Sequence, residues 1–137
     1  MRKHTLAVAA LFVALAARAE TPATVLQSYA GAAAAQSKGY AGPSAATGDR
    51  FFHTQHKDWS CATCHTADPT RPGRHAVTGK PIQPLAPAAN PNRFQERARA
   101  EKWFKRNCND TLGRECTAAE KADVLAYLIA AVNGRTS

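Results

Sequence analysis

Cys61, Cys64 and His65 stand in the order C-x-x-C-H within "SCATCH". That order reads as covalent haem attachment, with the histidine on the iron. A zinc site built from thiols and His65 is the competing reading, but it does not require the contiguous run, which haem attachment explains directly. A porphyrin supplies four ligands and His65 a fifth. The sixth position then separates an electron carrier from a gas-binding protein, and a chain around such a group needs apolar walls.

The N-terminus has the anatomy of a secretory leader. Arg2, Lys3 and His4 form a basic start, "LAVAALFVALAA" is a short apolar run, and Ala17, Arg18 and Ala19 offer a small-x-small cleavage site. The run is too short and Ala-rich for a good membrane anchor, so no stable membrane insertion is expected. Residues 1–19 are read as a cleaved signal peptide and residues 20–137 as a single domain in the periplasm. Three basic residues and no acid leave with the leader, so the formal charge falls from +8 to +5. Two haem propionates would lower it further. Arg93, Arg97, Arg99, Lys102, Lys105 and Arg106 remain clustered, as a solvated helix face or a docking patch for an acidic redox partner. An exported chain without a recognition motif excludes nucleic acid as a partner. Export also suits cysteines held in an oxidising compartment, and Cys108 and Cys116 are close enough to close a short disulfide loop.

The chain reads as all-α with long loops. Thr21 and Pro22 start a helix in which Val25, Leu26, Tyr29 and Ala33 recur at helical spacing up to Gly39. A second short helix is expected from Ser44 to about His53. From Thr66 to Pro87 no hydrophobic period survives among Pro69, Pro72, Pro81, Pro84 and Pro87. A loop that long makes sense if it wraps something. Asn90 and Pro91 suggest a helix running to about Asn107. "TAAE" at Thr117–Glu120 is a capping box, and Val124, Leu125, Leu128, Ile129 and Val132 form one stripe, closed by Asn133 and Gly134. No strand pattern appears.

Gly48 and Phe52 before the motif, with Tyr127 in "DVLAYL", resemble the paired helices of a class I cytochrome c. A glycine at a helix crossing lets two backbones approach closely, which gives this spacing a physical reason. The connection from Phe52 to Cys61, carrying His53, His56 and Trp59, is longer than the family's.

Class I cytochromes place a methionine opposite the histidine, and the only methionine here is Met1, which leaves with the leader. His53, His56 and His75 are histidine candidates for the sixth position; His75, in the wrapping loop, is the serious one. A lysine would have to lose its proton through burial. Taken alone, Asn107 at a helix end is a cap.

"KWFKRNCND", Gly113, Arg114, Cys116 and "EKADVLAYL", with "TGKPIQPLAPAANPNRF" and "SCATCH", are similar to the SHP cytochromes, an oxygen-binding branch of class I. The resemblance implies that the asparagine before the first disulfide cysteine, Asn107, ligates ferric iron, with Asn109 the nearest alternative. It also implies one covalent haem c, and a dihaem cytochrome c and a membrane cytochrome b as electron donors. On that reading the chain is a high-spin, redox-active cytochrome that binds dioxygen or nitric oxide when reduced. The alternatives are a plain electron shuttle with His or Lys as sixth ligand, and a haem enzyme. A peroxidase or nitric oxide dioxygenase would have His75, Arg71 and Arg74 as its distal groups.

Overall fold

The computed structural model describes residues 19–132. All of the expected leader but Ala19 lies outside them, as do Asn133 and Gly134.

Five helices and one minimal hairpin make up the described chain: α1 (Pro22–Gln36), α2 (Ala45–His53), α3 (Cys61–His65), β1 (Gly73–Arg74), β2 (Pro81–Ile82), α4 (Arg97–Leu112) and α5 (Ala118–Ala130). Side-chain caps start most of the helices. Thr21 and Thr24 form a reciprocal box ahead of α1, Ser60 and Thr63 ahead of α3, and Thr117 and Glu120 ahead of α5; Ser44 accepts from the Thr47 N–H ahead of α2. Each box satisfies backbone donors that a helix start otherwise leaves unpaired.

α5 is the central element, packing on both α1 and α2. Towards α1, Leu125 and Ala122 join Val25, Tyr29 and Ala100 of α4. Towards α2, Val124, Tyr127 and Leu128 close over Phe52. Phe94 and Phe104 are packed against both clusters. Gly48 is the crossing point of α2 and α5: a Cβ there would lie 1.9 Å from the Asp123 carbonyl oxygen. Buried Lys121 pairs with Glu101, tying α5 to α4.

Three expectations change. The proline-rich stretch contains strands after all, antiparallel with Gly73 opposite Ile82 and Arg74 opposite Pro81. Two-residue strands among prolines show no alternation to read. The segment after Asn90–Pro91 is a run of turns, not a helix. Asn90 Oδ1 accepts from the Asn92 N–H at 3.3 Å and Phe94 sits at φ 58°, so α4 starts only at Arg97. Asn107 does not end a helix either. α4 continues to Leu112 and stops at Gly113, whose left-handed φ of 72° suits glycine.

Candidate functional site

α3 is the C-A-T-C-H run itself, started by its capping box and ended at Thr66 with φ 62°. A β-branched residue at positive φ is strained and needs neighbours to hold it. β1 lies directly against this turn. A Cβ on Gly73 would come 2.0 Å from the Cys64 carbonyl oxygen and 3.0 Å from His65 Cα. The hairpin also places the Ala76 N–H 3.3 Å from Cys64 Sγ.

A cavity of about 1040 Å³ opens beside α3, at the upper end of the range for ligand sites. Cys61, Cys64 and His65 line it, and neither cysteine is in a disulfide. Burial pushes the Cys61 thiol up to about 11, with Cys64 adding to the effect. Burial likewise brings His65 down to about 4, and the Arg93 guanidinium lowers it further. His65 Nδ1 is buried with no hydrogen-bond partner among the described residues. Phe51, Phe52, Trp59, Phe94, Trp103 and Phe104 supply aromatic walls. The charged lining is Lys80, Arg93, Arg99 and Arg106 against Glu96 and Asp110. An apolar slot with two excess cations fits a flat apolar macrocycle bearing two carboxylates.

Asn107 lines the same cavity from the middle of α4. Its carbonyl accepts from the Thr111 hydroxyl at 2.7 Å, while its side-chain amide has no partner among the described residues. Cys108 and Cys116, joined by a disulfide, line the cavity beside it.

Residues 38–128 match a family model described as a domain of unknown function, DUF1924. Over 71 residues the chain is 61% identical to cytochrome c-type protein SHP of Cereibacter sphaeroides, covering 52% of this chain and 54% of that one. Over 95 residues it is 42% identical to cytochrome c'' of Methylophilus methylotrophus, covering 66% of each. The structure of oxidized SHP, an oxygen-binding cytochrome c, superposes with a TM-score of 0.71 at 46% identity, covering 81% of this chain and 97% of that one. The crystal structure of oxidized cytochrome c'' gives 0.74 at 36% identity, covering 82% and 95%. The chain belongs to the family of SHP and cytochrome c''. The matched stretch spans about half the length of SHP, while the solved SHP-family structures are covered almost whole. Membership makes haem c the implied cofactor and the all-α class I cytochrome fold the right class.

The other candidates for the distal side fare differently. Asn109 is exposed, is not on the cavity, and donates from Nδ2 to the Lys105 carbonyl at 2.7 Å. His53 and His56 are not on the cavity, and both bond to backbone carbonyls. His75 does line it, but its Nδ1 accepts from the Val77 and Thr78 N–H groups, each at 3.2 Å. That leaves the ring proton on Nε2, the only nitrogen it could turn to a metal. Arg71 and Arg74 are not on the cavity; Arg71 lies 3.9 Å from Asp68, and Arg74 donates to the Gly79 carbonyl at 2.6 Å. Gly73 and Arg93 are the residues that sequence reasoning missed. Neither a glycine between Pro72 and Arg74 nor one arginine among six cations carries a local signal of its packing.

Proposed function

We propose that this chain is an exported, single-domain periplasmic cytochrome whose Cys61 and Cys64 bind one haem c covalently. His65 would be the permanent iron ligand, and Asn107 a second ligand that can be displaced. When bound, haem supplies a one-electron iron couple and a position able to take a diatomic gas. Asn107 would be the group that gives way on reduction, leaving room in the cavity it lines for dioxygen or nitric oxide. An amide oxygen is a hard, weak donor that suits ferric iron better than ferrous, whereas thioether sulfur is soft. It therefore lowers the reduction potential relative to methionine ligation. Once displaced, the Asn107 N–H can donate a hydrogen bond to the incoming gas.

The observation that carries this reading is one cavity lined by both His65 and Asn107, the latter with its amide unengaged. No methionine lies among the described residues to compete for the position. The named properties of two relatives support it: SHP is an oxygen-binding cytochrome c, and cytochrome c'' has been examined for haem-ligand detachment.

A dihaem cytochrome c, fed in turn by a membrane cytochrome b, is the electron donor we infer. Its docking surface is α4, where Arg97, Lys102 and Arg106 are in no ion pair among the described residues. Arg99 and Lys105 are partly offset by Glu96 and Glu115. No described helix is long and apolar enough to cross a membrane.

Ferric, ferrous and ferrous–carbon monoxide spectra of the purified holoprotein test the reading. High-spin spectra and a prompt carbon monoxide shift are expected. Asn107→Ala alters the ferric spectrum while Asn109→Ala leaves it unchanged. A low-spin ferrous protein that ignores carbon monoxide leaves only an electron shuttle.

A further inference from the structure

The turn that follows His65 is strained at Thr66 and needs outside support. Part of that support is local: the Thr66 hydroxyl donates to the Asp68 carbonyl at 2.6 Å. Beyond the packing of β1, more comes from α2. His53, its last residue, has Nε2 3.0 Å from the Ala67 carbonyl oxygen, two residues beyond His65. On its other side, Nδ1 lies 2.9 Å from the Asp49 carbonyl oxygen and 2.9 Å from Asp49 Oδ1.

Every partner of this ring is an acceptor. A neutral imidazole carries one N–H and one lone pair, so it would aim a lone pair at an oxygen whichever tautomer it chose. Only the imidazolium satisfies both sides. We propose that His53, charged between Asp49 and Ala67, is a positioning residue that clamps the turn behind His65 and releases it when the ring loses a proton. The ring's role in relation to the cofactor rests on His65 being the permanent iron ligand; the state of the ring itself does not.

The groups facing His53 act in the same direction. Burial lowers its proton affinity, but the Ala67 and Asp49 carbonyls and the Asp49 carboxylate outweigh that and hold it above the usual histidine value. From α5, Tyr127 faces the ring with centroids 5.9 Å apart. Its own hydroxyl is pushed up to about 12 by burial, then by Asp49 and Asp68, so it stays neutral. Phe52 closes a third side at 5.3 Å. Asp68, in the clamped turn, is held below the usual carboxylate range by its hydrogen bonds from Thr70, with Arg71 a smaller cause. The Asp49 carboxylate thus faces the ring from α2, and no cation is among the groups that shift it.

Two measurements on the holoprotein test this. Nitrogen-15 NMR of the His53 ring should find a protonation midpoint above 6.5, the usual histidine value. A midpoint at or below 6.5 overturns the proposal whatever holds the iron. The reduction potential should also fall in a step as pH rises through that same midpoint, because a positive charge leaves and the turn relaxes. His53→Gln, which can still donate to Ala67 but carries no charge, should lose that step, and Asp49→Asn should move it to lower pH. A step that survives His53→Gln at an unaltered midpoint overturns the clamp. An unchanged step in Asp49→Asn removes Asp49 from it. Carbon monoxide binding and the Asn107→Ala spectrum report on axial ligation separately, so a failure there is distinguishable from a failure here.

Discussion

A methyl group placed on Gly48, Gly73 or Gly31 meets three different surroundings. At Gly48 it would lie 1.9 Å from the Asp123 carbonyl oxygen, a backbone atom of α5 that cannot rotate away. Gly48→Ala therefore forces two helices apart, and about 3 kcal/mol or more of lost stability is expected in denaturant unfolding. At Gly73 the obstacle is the Cys64 carbonyl. Gly73→Ala pushes the hairpin off α3, so the expected change is a disturbed ferric spectrum with far-UV circular dichroism little altered. Gly31, exposed inside α1, has nothing within 4 Å. Gly31→Ala should stabilise by about 0.5–1 kcal/mol, because alanine loses less backbone freedom in a helix. The sequence singles out Gly48, whose four-residue spacing to Phe52 marks a helix crossing. It offers nothing comparable for Gly73, because contact between a loop and the helix before it leaves no periodic trace. His53 adds a pH dependence at this scale. Its raised proton affinity gives stability that is complete below about pH 6.5 and is lost as pH rises through the folded-state value.

α4 carries the proposed sixth ligand, and it is held at both ends. Near its start, Ala100 is buried against Val25, Tyr29 and α5, and Glu101 pairs with Lys121. Near its end the Cys108–Cys116 disulfide ties the last turn to the approach of α5. In a chain-entropy account a loop of this length contributes about 2.5 kcal/mol. The double variant Cys108→Ser/Cys116→Ser should lose roughly that much in denaturant unfolding. Asn107 directly precedes the bridge, so the variant's ferric spectrum should also shift towards that of Asn107→Ala. An unshifted spectrum would make the bridge purely structural. The start of α5 was legible because Thr117 and Glu120 satisfy each other within four residues. The start of α4 was not. Asn90–Pro91 has the right local chemistry for a cap, but Asn90 spends its side chain on the Asn92 N–H and the Pro84 carbonyl. Phe94, left-handed at φ 58°, breaks any helix there and turns its ring towards Phe104, with centroids 6.4 Å apart. That conformation is enforced by tertiary packing, which no local pattern announces.

Phe94 and Phe104 pack against both core clusters and also line the cavity. The proline-rich stretch that sequence alone marks as wrapping something supplies Pro81, Ile82, Pro84 and Leu85 to the same wall. A group that fills this space therefore completes the core as well as serving chemistry. The α1–α5 contact, built on Val25, Tyr29 and Leu125, does not depend on it. Cys61→Ala/Cys64→Ala, produced without bound haem, should keep much of its far-UV helical signal. It should lose its near-UV signal, bind hydrophobic dyes and unfold over a broad range, as chains do when packing goes but helices persist. Binding a ligand to the folded state alone adds stability that grows with the logarithm of ligand concentration relative to its dissociation constant, so covalent attachment represents the extreme of that effect. If the haem-free variant instead unfolds as sharply as the holoprotein and at the same midpoint, the walls of the cavity are self-supporting. The strained Thr66 turn, the Gly73 contact and the His53 clamp would then have to be explained without any cofactor behind them.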